Sequence, residues 1–126
     1  MEIRCYRDLA VWREAVNLAL ECYQLASTFP KHERFGLANQ LQRAAVSVPA
    51  NIAEGHAREH TRDFLRFLSI AAGSMAELET HLIIAVRLGY QGPDQMQRAL
   101  NKADEVGRML RGLQKALHAK LSANNP

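Results

Sequence analysis

The stretch that decides the fold is GLANQLQRAAVSVPANIAEG, residues 36–55. Its apolar stripe repeats every three or four residues, which is the spacing of one helix face. The stripe consists of Leu37, Leu41, Ala44, Val48 and Ile52. We predict a helix from about Lys31 to Ala57. Pro49 lies inside it and cannot donate a backbone hydrogen bond, so the sequence predicts a kink near Pro49.

Three further segments show the same apolar spacing and are bounded by proline or glycine. They predict helices from about Arg7 to Phe29, from Thr61 to Leu88 and from Pro93 onward. Thr61 is the predicted cap of the third helix, and Pro93 suits the first position of the fourth. Short connections make successive helices antiparallel neighbours. The sequence therefore predicts an all-α, up-down-up-down four-helix bundle.

The length and composition fit one globular domain. The chain has 126 residues, of which 48% are apolar, and a formal charge of +3. We predict a single domain over residues 1–121 and a disordered tail over residues 122–126. Uncharged apolar runs of about 18 residues and a signal-peptide core are not found in the sequence. These features predict a cytoplasmic protein that does not enter a membrane.

Two of the predicted helices are more apolar than one bundle seam requires. Helix 1 carries the stripe Leu9, Trp12, Val16, Ala19, Tyr23 and Ala26, and beside it a second stripe of Val11, Ala15, Leu18, Cys22 and Leu25. Between Gly36 and Ala53 the only charged residue is Arg43. Either helix 2 lies deep within the bundle, or helices 1 and 2 also face a neighbouring subunit. The sequence leaves both interpretations open.

Polar residues follow the helical period along one side of helix 2. They are Gln40, Arg43, Ser47, Asn51 and Glu54, and helix 3 offers Ser74, Glu77, Thr80 and His81 as partners. We predict a structural polar network of Gln40, Arg43, Ser47, Asn51, Glu54 and Glu77, in which Arg43 is buried and paired with a carboxylate. A catalytic or ligand site is the less favoured alternative, because no nucleophile lies beside a base.

The segment His56-Ala57-Arg58-Glu59-His60 matches the H-x-x-E-H pattern of some zinc peptidases. Such a site requires both histidines on one continuous helix face. Gly55 and the predicted cap at Thr61 interrupt that face, so a metal-dependent hydrolase using His56 and His60 is a disfavoured alternative. We predict no catalytic residues, no metal and no cofactor.

Basic residues gather toward the end of the bundle that holds the helix 2 to helix 3 connection and the end of helix 4. The candidates for nucleic-acid contact are Arg58, Arg62, Arg108, Arg111 and Lys115. Cations that neutralise phosphates give binding that is weak, salt-sensitive and indifferent to sequence when nothing reads the bases. The competing interpretation is an ordinary solvated face with i,i+4 ion pairs.

Several segments together resemble one known family. They are Phe29-Pro30, Glu33 to Leu37, Gln40-Leu41, Arg43 to Gly55 (RAAVSVPANIAEG), Arg58, Phe64-Leu65, Phe67-Leu68, Ala71, Gly73-Ser74, Glu77 to Thr80 and Gly107 to Leu110. This pattern resembles the four-helix-bundle family named after proteins encoded in 23S rRNA intervening sequences. The resemblance implies a homopentameric ring without known enzymatic activity.

A related branch of that family, the accessory variability determinant proteins of diversity-generating retroelements, forms basic pentamers that bind a reverse transcriptase and nucleic acid. The present chain is only slightly basic. We therefore expect a non-catalytic oligomeric scaffold or adaptor. The alternative is an accessory protein that binds nucleic acid weakly, with a reverse-transcriptase-like partner.

Overall fold

The computed structural model describes residues 2–123 of the chain. Four helices make up most of the structure: α1 (Ala10–Ser27), α2 (Leu37–Ala57), α3 (Thr61–Arg87) and α4 (Pro93–Ala123). Single 3-10 turns at Tyr6–Asp8 and Lys31–Glu33 precede α1 and α2, and no strand occurs within residues 2–123. The all-α, four-helix prediction is confirmed. Ser122 and Ala123, which we assigned to the tail, end α4, while residues 124–126 lie outside the described part.

Two helices begin later than their apolar periodicity predicts. α1 begins at Ala10, because Leu9 is extended and the residues before it form the first 3-10 turn. α2 begins at Leu37 and not at Lys31. The Leu37 amide donates a hydrogen bond of 3.1 Å to Oε1 of Glu33, so a side chain from the preceding turn satisfies the free amide at the helix start. The predicted helix starts at Arg7 and Lys31 were wrong, because both residues lie in the 3-10 turns that precede α1 and α2.

The boundaries of α3 agree with the sequence more closely. α3 begins at Thr61, but its N-cap is the extended residue His60, without a side-chain capping bond, so the capping role predicted for Thr61 was wrong. Just beyond its end, Gly89 has a φ of 76°. Glycine adopts this left-handed conformation without steric cost, which explains why α3 stops there.

The hydrophobic core is shared by all four helices. Its larger members, all almost completely buried, include Leu18, Leu41, Ile52, Leu68, Leu78, Leu82, Met96 and Leu110. The second stripe of α1 is part of this core. On the first stripe, Tyr23 remains 43% exposed. Both stripes of α1 therefore contribute to the core, since Ala19 and Ala26 of the first stripe are buried in it and Leu9 and Trp12 pack against it.

Contacts between helices fix their relative directions. Ser47 of α2 bonds to Ser74 of α3, and eight residues later Gly55 lies against Phe67. A Cβ atom on Gly55 would lie 2.7 Å from the Phe67 Cβ, so this close approach requires glycine. Because the contacts advance along α2 as they retreat along α3, these two helices have the pattern of antiparallel neighbours. The complete up-down-up-down order and the kink near Pro49 stay predictions.

Candidate functional site

A wide concavity lies between α2 and α3. It has a volume of about 640 Å³, and we call it the α2–α3 groove. Its lining consists of Phe35, Asn39, Gln40, Arg43, Ala44, Ser47, Ser74, Glu77 and His81. Four of the six residues predicted to form a polar network, Gln40, Arg43, Ser47 and Glu77, therefore line one surface. Asn51 and Glu54 lie outside this lining.

A compact hydrogen-bonded cluster occupies the floor of the groove. The hydroxyls of Ser47 and Ser74 are 2.7 Å apart. The side-chain amide of Asn51 donates to the Ser47 carbonyl oxygen at 2.8 Å and to the Ser47 hydroxyl at 2.9 Å. Ser74 is only 9% exposed, so the Ser47–Ser74 bond joins α2 to α3 away from bulk water, whereas the two Asn51 bonds lie within α2.

The remaining predicted network members are not buried. Gln40, Arg43, Glu54 and Glu77 are exposed, and Arg43 has no hydrogen bond or ion pair to any residue of 2–123. Glu54 pairs with Arg58 one turn along the chain, at 2.8 Å. The predicted burial of Arg43 against a carboxylate was wrong, because Arg43 lies in the open lining of the groove, one turn before Ser47, and stays exposed there.

Two residues of the groove stand out by their surroundings. The Nδ1 atom of His81 is buried and has no hydrogen-bond partner. Phe35 is 86% exposed, the largest exposure of any apolar side chain in the described part. His81 was anticipated as a polar partner on helix 3. The exposure of Phe35 was missed, although its place between the charged Arg34 and the helix-breaking Gly36 is a signal that it does not belong to the α2 stripe.

The outward surface of α3 is unusually apolar. Ile70, Ile83, Ile84 and Leu88 are all more than 40% exposed. By length and composition alone α3 would suffice to cross a membrane, a criterion that core helices of water-soluble proteins also meet. Such core helices are mostly buried, whereas only 28% of the most apolar 18-residue stretch of α3 is buried within the chain. The chain alone therefore leaves much of this apolar surface uncovered.

The candidate nucleic-acid residues are dispersed. Arg58 is engaged, because it pairs with Glu54 and its guanidinium carbon lies 5.0 Å from the centre of the Phe67 ring. Arg62 is exposed on α3, and Arg108, Arg111 and Lys115 are exposed on α4. Burial and the nearby Asp104 raise the pKa of Glu79, whereas Arg111 acts in the opposite direction. Part of the Arg111 charge is thus balanced by its neighbours.

The two histidines of the H-x-x-E-H pattern lie in different backbone segments. His56 belongs to the last turn of α2, where its ring meets Phe64 edge to face at 5.5 Å. Arg58 and His60 are extended. A continuous helix face, which zinc ligation by this motif requires, is therefore not formed. No group of three potential metal ligands occurs within residues 2–123.

Cys22 does not have the surroundings of a reactive thiol. Burial raises the pKa of the Cys22 thiol to about 12, and the nearby Glu21 carboxylate adds to the shift. The reactive thiolate form is therefore scarce at neutral pH. Cys5 is half-buried, and both cysteines are free. The groups described here support packing and hydrogen bonding and do not assemble a nucleophile beside a base.

Comparisons with known proteins agree with this architecture. A crystal structure of a protein of unknown function from the S23 ribosomal protein family of Bacteroides thetaiotaomicron has the same fold, with a TM-score of 0.78 and 24% sequence identity. The alignment covers 83% of this chain and 95% of that one. A search of curated proteins gave no significant match. Residues 7–112 match the family described as 23S rRNA-intervening sequence protein, and the chain belongs to that family.

Proposed function

We propose that this chain is a non-catalytic scaffold or adaptor of the cytoplasm that acts as a homo-oligomer. Five subunits are the expected number, through the family resemblance noted in the sequence. The observation that carries the proposal is the apolar outward surface of α3. Exposed apolar patches of this kind on water-soluble proteins mark contact surfaces. The same chain on a neighbouring subunit is the partner that is always present at matching concentration.

Two further features support self-association. Val46 on the outer side of α2 and Leu20 on α1 are also exposed, at 43% and 60%. Exposed apolar residues therefore occur also on the two helices on which the sequence indicated surplus apolar residues. Closed rings are built from two different surface patches that meet head to tail. Apolar residues exposed on several helices offer the two patches that such a ring requires.

Co-purification of two differently tagged copies tests the proposal. Expressed together, the copies should be recovered in comparable amounts on either tag after high-salt washing, because apolar contacts resist salt. A matched sample should stay in the aqueous fraction when mixed with phospholipid vesicles and floated. Recovery of one tag only would contradict self-assembly. Flotation with the vesicles would indicate instead that lipid covers α3.

Nucleic-acid binding is a second candidate. The observation in its favour is that Arg62, Arg108 and Lys115 form no ion pair within residues 2–123. A single chain offers few such cations, but a ring would repeat them and add avidity. We expect weak binding that falls about 10³- to 10⁵-fold between 50 and 200 mM salt if a ring makes about 6–10 phosphate contacts.

Fluorescence anisotropy with unrelated RNA and DNA oligonucleotides measures this binding. Arg108→Glu and Lys115→Glu should weaken all oligonucleotides equally, whereas Arg58→Glu should have less effect because Arg58 is already paired with Glu54. Binding that persists at high salt, or that strongly selects one sequence, would contradict the electrostatic account.

A further inference from the structure

A second concavity lies where α1 ends and α2 begins, and we call it the α1–α2 cleft. It has a volume of about 430 Å³, which is in the range of small-molecule sites. The connection between the two helices supplies Lys31, Arg34 and Phe35 to its lining. Phe29 and Ala38, also in the lining, belong to the buried core. The cleft therefore combines an apolar wall with cationic and aromatic side chains.

Phe35 is the part of the cleft that the packing of the chain does not explain. Its side chain is 86% exposed, so the ring contributes little to the core. The guanidinium carbon of Arg34 lies 5.4 Å from the ring centre. An exposed aromatic face beside a cation is the arrangement on which nucleobases stack, because every base has a flat π-face and carries its phosphate nearby. The ring is thus available to a flat aromatic ligand.

The charges around Phe35 are unbalanced. Lys31 and Arg34 line the cleft, and among the described residues no carboxylate does. Glu33 is the only acid among residues 31–43, and both of its carboxylate oxygens already accept hydrogen bonds within the fold. Ion pairs within residues 2–123 involve neither Lys31 nor Arg34. The cleft therefore presents two uncompensated positive charges, which favour an anion such as a phosphate group.

Two side-chain amides complete the polar lining. Asn39 and Gln42 lie one turn apart on α2, and both are half-buried. Neither amide has a hydrogen-bond partner within the described residues. A side-chain amide offers a donor beside an acceptor, and this pair matches the edge of an adenine base. The cleft thus carries groups for the edge of a base as well as for its face.

We propose that the α1–α2 cleft binds a free nucleoside phosphate, with the base on Phe35 and the phosphate at Lys31 and Arg34. Three kinds of group in the lining match three parts of one such molecule. The ring matches the face of the base, the amides match its edge, and the cations match the phosphate. An acidic peptide would use the cations and leave the ring and the amides unused. The inference depends neither on self-assembly nor on the exposed cations of α4.

Calorimetric titration of the native protein with ADP, adenosine and pyrophosphate tests the proposal. ADP should bind more tightly than either of its parts. Phe35→Ala should weaken ADP binding by about 5- to 100-fold, because it removes one stacking platform, and Phe35→Trp should restore it. Tyr23→Ala removes an exposed aromatic side chain outside the cleft and is the matched control. It should leave ADP binding unchanged.

The cations are tested by comparing ligands with and without phosphate. Lys31→Ala combined with Arg34→Ala should weaken ADP binding by about 10- to 100-fold, because two charge-assisted contacts are lost. Adenosine binding should not change, since adenosine has no phosphate. A loss of equal size for adenosine would contradict the assigned roles of the two cations.

Two parallel measurements separate a ligand site from other uses of Phe35. Light scattering on the same samples should give the same particle mass for Phe35→Ala as for the parent. A lower mass would assign the ring to a subunit contact and overturn the proposal. A short single-stranded oligonucleotide that binds through Phe35 while ADP does not would assign the cleft to nucleic acid and overturn it equally. Absence of any heat with ADP at millimolar concentration also contradicts it.

Discussion

The outward surfaces of α3 and α4 differ sharply, although both helices supply core residues on their inner sides. α3 exposes Ile70, Ile83, Ile84 and Leu88, and its exposed charged residues are Arg62, Arg66, Glu77 and Arg87. Among the exposed residues of α4 are Arg98, Glu105, Arg108, Arg111, Lys115 and Lys120. A helix that faces water needs charge on its outer side, and a helix that is covered does not. The difference supports the proposal that α3 is covered in an assembly while α4 faces solvent.

The contacts that join α4 to α1 and α3 to α2 show the same contrast between charged and neutral groups. α4 is joined to α1 by an ion pair between Lys102 and Glu14, whose hydrogen bond lowers the pKa of Glu14 and raises that of Lys102. α3 is joined to α2 by neutral hydroxyls and by the close approach at Gly55. Charged contacts tolerate water, whereas the tightly packed, neutral α2–α3 pair is suited to burial.

We expect the largest effect on assembly from charged residues placed on α3. Ile70→Asp combined with Ile84→Asp should convert the assembly to monomers. Burial of one such side chain contributes about 1.5–3 kcal/mol, so losing both should weaken association by about 10²- to 10⁴-fold. Sedimentation velocity measures the shift. Arg108→Asp combined with Lys115→Asp on α4 is the control, and an equal loss of assembly there would contradict the contrast between the two surfaces.

Truncating the inner side of α3 should destabilise the chain itself. Leu82 is fully buried, and Leu82→Ala should lower the free energy of unfolding by about 2–5 kcal/mol. The neighbouring Ile83 is exposed, so Ile83→Ala should change it by about 0.5 kcal/mol or less. Urea unfolding in the monomeric background with aspartate at positions 70 and 84 separates folding from association. Equal losses would mean that the inner and outer sides are misassigned.

How much of this the sequence revealed depends on the physical origin of each feature. The start of α3 was predictable, because a local break and a strong apolar period mark it. The start of α2 was not, because it depends on the Glu33 side chain reaching the Leu37 amide, which no periodicity records. The polar stripe on α2 was predictable from the sequence, but helical periodicity does not specify which of its side chains contact α3. Only Ser47 and Asn51 join the hydroxyl cluster, while Arg43 lines the same groove but stays exposed.

The apolar outward surface of α3 was missed for a related reason. The strongest apolar period of α3 marks the seam that packs inside the bundle, at Leu68, Met75 and Leu82. Ile70 and Ile84 are fourteen positions apart on another side of the same helix, with Glu77 midway between them. Ile70, Glu77 and Ile84 also follow a seven-residue repeat. Because its middle member is a carboxylate, this repeat does not have the continuous apolar pattern that predicts a buried helix face.

The hydroxyl cluster should make a smaller contribution than the core. Ser74→Ala removes the partner of the Ser47 hydroxyl inside the α2–α3 contact, and we expect a loss of about 1–3 kcal/mol in the free energy of unfolding. Ser69→Ala, at an exposed position of α3, is the matched control. Urea unfolding in the same monomeric background measures both. A Ser74→Ala chain as stable as its parent would show that the cluster adds nothing to the contact.

The smallest expected effect concerns pH and the cap of α2. Hydrogen bonds from Tyr90 and from the Leu37 amide hold the pKa of Glu33 below its ordinary value of 4.5. The ionised form is therefore favoured in the folded chain, and its stabilisation is present above pH 4.5 and is lost as the pH falls through the folded pKa. Tyr90→Phe should therefore reduce the fall in melting temperature between pH 7 and pH 3. Tyr23→Phe is the control and should leave this fall unchanged. Melting temperatures between pH 3 and 7 measure it.

The mass of the native particle tests the central claim most directly, namely that copies of the same chain cover α3. Light scattering coupled to size exclusion, on untagged protein at micromolar concentration, reports this mass without a reference shape. We predict one sharp species with a mass close to five times 14.1 kDa, unchanged on moderate dilution. A single species of 14.1 kDa would contradict the account, because α3 would then present its apolar surface to water.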